Sequence, residues 1–121
     1  MRYMMMVKAD ANYEKGLPPS PELMQEIGKL SEEMAKAGVL LETGGLAPTS
    51  KGARLQVRRG KVSVTDGPFA EAKEVVGGYA ILRAASREEA IALGTRFLEA
   101  HVKALGPSCE TELEIRELFG D

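Results

Sequence analysis

The stretch Arg2-Tyr-Met-Met-Met-Val-Lys8 sets the strongest constraint on how this chain can fold. It is a short apolar run followed by turn residues, and so reads as a β-strand. Successive side chains of a strand point to opposite faces, which sends Tyr3, Met5 and Val7 one way and Met4 and Met6 the other. Neither face is polar. The run from Val76 to Leu82 is nearly as apolar on both sides, with Gly77 and Gly78 marking a bulge or a close backbone approach. Strands of this kind must be covered twice.

The rest of the chain supplies cover for one face. Ser20 is an N-cap before Pro21, and Leu23, Ile27, Leu30 and Met34 recur at helical steps until Gly38 ends the helix in the left-handed conformation a C-cap needs. A second strand follows over Val39 to Leu46. Leu55 and Val57, then Val62 and Val64, alternate with polar residues about Gly60, which is a β-hairpin with one wet face. Ser86 and Glu89 form a capping box opening a helix that carries Ala90, Phe97, Leu98 and Leu105, and that stops at Gly106 and Pro107. The last strand spans Thr111 to Phe119, and Asp10 to Pro21 reads as a loop.

The order β, α, β, hairpin, β, α, β is α+β: a ferredoxin-like split βαβ with an inserted β-hairpin, one domain over residues 1–121. Two helices can cover only one face of a four-stranded sheet. The second face therefore calls for the same sheet of a second copy across a two-fold axis, so the expected partner is the chain itself, as a homodimer.

Charge and composition exclude several functions. Sixteen basic residues face eighteen acidic ones, for a net charge of -2, and they are scattered, which argues against nucleic acid as a partner. The cluster Arg58, Arg59 and Lys61 reads as a solvated hairpin tip. The start of the chain has five consecutive apolar residues, too few for a signal peptide or a membrane span, so no membrane partner is expected. Cys109 is alone, which rules out an internal disulfide and favours a cytoplasmic setting; beside Glu110 it reads as structural. With one His and one Cys, no His-rich or Cys-rich metal site can assemble, and no nucleotide-binding or nucleophile motif suggests a cofactor.

The candidate site loop runs from Thr65 to Glu74. Asp66, before Gly67-Pro68, could fold its carboxylate onto the following backbone N–H groups and act as base or orienter, although Asp-Gly-Pro is also what a tight turn needs. Phe69 could wall a pocket or plug the core below. Glu71, Lys73 and Glu74 could bind a polar ligand or form a solvated helical turn. His101 lies seven, four and three residues from Gly94, Phe97 and Leu98, near the apolar helix face, where a packed or interfacial role competes with that of a catalytic base. Glu42, Glu114 and Arg116 project from strands and would either fix an interface or bind ligand, with Arg116 an anion anchor and Tyr79 a wall.

Asp66-Gly-Pro-Phe69, Glu71, Lys73-Glu74, Gly77-Gly-Tyr79, the Ser86 capping box, Glu114-Ile-Arg116 and the opening Arg2-Tyr-Met-Met-Met6 together resemble the YCII-related family in its DGPF-motif branch. The resemblance implies a dimeric α+β barrel. Most members of that family have no assigned activity, and a few relatives look like enzymes acting on small cyclic or chlorinated substrates through a His/Asp pair. The His of that pair comes from the region after the first strand; here Lys8 to Pro21 holds none, so only Asp66 corresponds. Glu117 stands where the branch places Pro.

Two functional expectations follow. One is a small organic ligand bound beside the Asp66 to Glu74 loop, with acid-base chemistry. The other is a non-enzymatic sensing or interaction module in which that loop shapes the dimer interface.

Overall fold

In the computed structural model, which describes residues 1–70 and 75–120, the chain runs β1 (Arg2–Lys8), α1 (Ala11–Glu14), α2 (Pro21–Lys36), β2 (Leu40–Gly45), a 3-10 turn (Thr49–Lys51), β3 (Ala53–Arg58), β4 (Lys61–Asp66), β5 (Val76–Arg83), α3 (Arg87–Leu105) and β6 (Leu113–Glu117). Four strands form one antiparallel sheet in the order β2-β5-β1-β6. This is the ferredoxin-like arrangement expected from the sequence. The two-faced strand β1 and the nearly as apolar β5 occupy its centre.

Local chemistry explains both long helices. Ser20 Oγ accepts from the Leu23 N–H at 3.1 Å, Pro21 occupies the first turn, and Gly38 takes φ +78° just past the end of α2. Ser86 Oγ accepts from the Glu89 N–H at 3.1 Å to open α3. Near its middle α3 closes on β6 over Gly94, where a Cβ would lie 2.8 Å from Ile115 Cδ1.

The core lies between α3 and the sheet. Tyr3, Ala84 and Ala90 form one buried cluster and Met5, Ala80 and Leu82 another, bridged by Leu93 and Ile115. Neither cluster includes a side chain from α2. That helix is joined to α3 by the ion pairs Arg96–Glu33 at 3.0 Å, exposed and worth little, and Lys103–Glu26 at 3.3 Å, in which Glu26 is half-buried.

Three expectations are corrected. The Asp10 to Pro21 stretch is not all loop: α1 forms there because Asp10 Oδ1 accepts from the Tyr13 N–H at 2.7 Å, and four residues are too few to show a helical period. The last strand is shorter than Thr111 to Phe119, and Phe119 is fully exposed. Glu117, in the position of the branch's Pro, pairs normally with Tyr3.

The third correction concerns the hairpin, which stands as its own two-stranded sheet. Arg59 at φ +53° and Gly60 at φ +78° make the tight two-residue turn that the twist of paired strands favours. Leu55 lies opposite Val64 and Val57 opposite Val62, yet every residue from Ala53 to Asp66 is exposed, so both faces are wet and not one. The ribbon leaves the main sheet, and among the described residues no helix lies over it.

The isolated chain exposes 8393 Å². A compact monomer of 13.0 kDa exposes about 6,300 Å². Leu82, at 1% exposure, is the largest fully buried side chain among the described residues. Leu82→Ala is expected to destabilise the fold by about 2–5 kcal/mol, whereas Met24→Ala, on the exposed side of α2, should change stability by less than about 0.5 kcal/mol. Thermal unfolding of both at one protein concentration checks this contrast.

Candidate functional site

Because α2 leans on α3 rather than on the strands, a space of about 1360 Å³ remains between α2 and the sheet. Met5, Val7, Ala80 and Leu82 form its floor, continued by Gly77 and Gly78, where an added Cβ would lie 3.3 Å from Ala9 and from the Gly44 carbonyl respectively. Leu23, Ile27, Leu30 and Met34 come from α2, and Phe97, His101 and Leu105 from α3. The walls are mainly apolar. Asp10, Asn12, Tyr13, Thr111 and Glu112 bring polar groups to it.

His101 is the buried polar residue of this cleft, at 8% exposure. Its Nδ1 lies 3.0 Å from the Phe97 carbonyl oxygen, which can only accept, so Nδ1 carries a hydrogen and Nε2 of the neutral ring is an acceptor. The Phe97 ring, with centroids 4.8 Å apart, fixes the imidazole further. Cys109 Sγ and Thr111 Oγ1, 3.3 Å apart, also border the cleft.

The segment containing α1 is fastened to β5 by Tyr13, whose hydroxyl donates to the Gly77 carbonyl at 2.5 Å; the Leu46 N–H donates to the same oxygen at 2.9 Å. Burial pushes the Tyr13 phenol above its ordinary pKa. Glu14, the next residue, reaches the 3-10 turn. Its carboxylate accepts from the Thr49 N–H at 3.0 Å and from the Thr49 hydroxyl.

Thr49 is the hub of the motif loop. Its Oγ1 accepts from the Phe69 N–H at 3.1 Å, and its carbonyl lies so close to Gly67 that a Cβ there would be 1.6 Å away. Only glycine fits. The Gly67 N–H donates to the Gly52 carbonyl at 3.0 Å, and Pro68 has no N–H, so each amide that might have capped Asp66 is committed or missing. The expected fold-back of the Asp66 carboxylate is therefore replaced by a clamp on the base of the hairpin, and Asp66 is exposed at the end of β4. Phe69 is half-buried under the Arg54 guanidinium, 4.1 Å from the ring centroid, and not in the core. Glu71, Lys73 and Glu74 lie outside the described residues.

On the sheet face away from the helices, two rows of side chains cross the four strands. Glu42, Ile81, Met4 and Arg116 form one; Gly44, Tyr79, Met6 and Glu114 form the other. The Tyr79 ring covers Gly44, where a Cβ would meet Cε1 at 2.9 Å, and its hydroxyl donates to Glu42 Oε2 at 2.8 Å. That bond, then the charge of Glu42, raises the Tyr79 pKa by favouring the protonated phenol. Glu114 lies 3.9 Å from Lys8 and 4.0 Å from Arg116.

The residues singled out from the sequence thus fall in three places. His101 borders the cleft, Asp66 and Phe69 belong to the hairpin clamp, and Glu42, Arg116 and the Tyr79 side chain lie on the open sheet face. Asp66, Phe69, Glu42 and Arg116 do not line the cleft. Sequence reasoning missed Tyr13, Glu14 and Thr49, whose partners lie 64, 35 and 20 residues away. No local pattern signals such contacts. Among the described residues no group of three or more His, Cys, Asp or Glu could hold a metal ion, and no helix is long and apolar enough to cross a membrane.

Comparison with known proteins gives a family and a relative. The model of the YCII-related domain matches residues 1–105. An uncharacterized protein of Rhizobium meliloti (strain 1021) is 35% identical over 69 residues, which is 57% of this chain. The match spans 56% of that protein, little more than half of its own length.

Thr49→Val keeps the shape of the hub and removes the hydroxyl that joins Glu14 to Phe69. The expected cost is about 1–2 kcal/mol, from two lost hydrogen bonds and a less satisfied carboxylate. Amide hydrogen exchange at Phe69 should accelerate in that variant, and an unchanged rate would contradict the clamp.

Proposed function

This chain belongs to the YCII-related domain family, and we propose that it is a cytoplasmic homodimer whose protomers each bind a small, mainly apolar organic molecule in the cleft between α2 and the sheet. The cleft itself is the observation that carries the reading. Ligand sites are concave and largely apolar with a few placed polar groups, commonly about 300–1,000 Å³. A space of about 1360 Å³ with aliphatic walls and one oriented imidazole has this character and room for water besides.

His101 gives the proposal its chemistry. Nε2 is the acceptor that would meet a hydroxyl, amide or acidic C–H of the bound molecule, while the Phe97 carbonyl holds the opposite nitrogen in its donor form. Asp66, exposed on the hairpin side, is not assigned the base role in this reading. The motif loop serves instead as an interface device, a role favoured by the Glu14–Thr49–Phe69 clamp that fixes the hairpin base.

Self-association rests on area. The chain exposes roughly 2,000 Å² more than a compact monomer of its mass, which is the scale of one protomer's share in an obligate interface. The open face, with Met4, Met6, Ile81 and Tyr79 at its centre, is the proposed seat of that interface.

Titration with 1-anilinonaphthalene-8-sulfonate, a dye whose fluorescence rises in apolar sites, tests the cleft. The native chain should bind one dye per protomer. Ile27→Trp, which fills the cleft from α2, should weaken binding roughly tenfold or more without lowering thermal stability, since the space is there to be filled. Equal dye affinity in both proteins, or no dye binding to the native chain, would contradict the proposal.

A further inference from the structure

We propose that the β3–β4 hairpin is an arm by which one protomer clasps a second copy of this chain. The inference rests on the homodimer reading above and adds to it a contact the open sheet face does not provide.

The ribbon is amphipathic and its apolar side is bare. Leu55, Val64, Val57 and Val62 form two cross-strand pairs on one face, at 64%, 62%, 75% and 64% exposure. The other face carries Arg54 with Thr65, Gln56 with Ser63 and Arg58 with Lys61. Two strands alone are marginally stable in water, and branched side chains opposite one another stabilise a ribbon most when something excludes water from them. Within its own protomer the ribbon is held at the base, by the Gly67-to-Gly52 hydrogen bond and by Phe69 under Arg54. Six residues per strand give it a reach of about 20 Å.

Two observations identify the occupant as a second copy. The first is area: the surplus exposure of roughly 2,000 Å² matches one protomer's share of an obligate interface and includes these four side chains, which lie off the main sheet. The second is charge. The tip presents Arg58, Arg59 and Lys61, while the edge strand β6 and its approach carry Glu112, Glu114 and Glu117, of which Glu114 is already flanked by Lys8 at 3.9 Å and Arg116 at 4.0 Å, leaving Glu112 and Glu117 to meet a basic tip. One chain therefore carries both halves of a complementary contact, and a two-fold axis lets each copy give an arm and receive one.

Sedimentation equilibrium of the full chain tests this. In the double variant Val57→Lys with Val62→Glu, a cross-strand ion pair keeps the ribbon together while its apolar face is lost. The dimer dissociation constant should rise roughly a hundredfold, as for removal of a central interface anchor, with the far-UV circular dichroism unchanged. Dimerisation as tight as the native chain's would overturn the arm. Ile81→Lys, on the open sheet face, separates the two readings: if it alone breaks the dimer, the arm falls and the sheet interface stands. A native chain that is monomeric at every concentration overturns both. Hydrogen exchange of the native chain gives an independent check, because amide protection from Leu55 to Val64 should grow with protein concentration, and protection independent of concentration would also overturn the arm.

Discussion

Everything in this molecule follows from a central strand with no polar side. A strand like β1 gains stability from burial on both faces, and the antiparallel sheet with β5 and β6 beside it fixes which residues look each way. Tyr3 and Met5 take the face under α3, where Ala80 and Leu82 join them. Met4 and Met6 take the other, in rows that end in Glu42, Arg116 and Glu114. The charged ends frame an apolar centre, the feature on which the proposed interface rests.

The helical side carries a second consequence. Among the described elements α3 packs on the sheet through Gly94 and its neighbours, whereas α2 buries Met34 alone and is joined mainly to α3. The same apolar side chains that would have completed a core line a cleft instead. Full packing would have stabilised the fold, and the open space is what makes ligand binding physically available. His101 lies in that space, its Nδ1 held against the Phe97 carbonyl of its own helix.

Much of the fold was legible because it is written in local chemistry. The caps at Ser20 and Ser86, the stop at Gly38, the Arg59-Gly60 turn and the alternation in β1 each act over a few residues, and all are found where the sequence puts them. The site was less legible. Asp66 looked like an oriented carboxylate because its neighbours form a turn, but the amides it needed are engaged by Gly52 and Thr49, which are distant in sequence. The Glu14–Thr49–Phe69 link has no signature, since Thr49 sits in an ordinary Pro-Thr-Ser-Lys-Gly turn. The cleft was also invisible, because Leu23, Ile27 and Leu30 have the same periodicity whether their helix touches the sheet or stands away from it.

If burial of the second sheet face against another copy completes this fold, folding and association are one equilibrium, and stability must depend on protein concentration. The direct measurement is the urea midpoint of unfolding across a hundredfold range of protein concentration. The midpoint should climb steadily as the chain becomes more concentrated. A midpoint that stays fixed over the whole range, with a single cooperative transition, would show that the lone chain is already complete and would contradict the central claim.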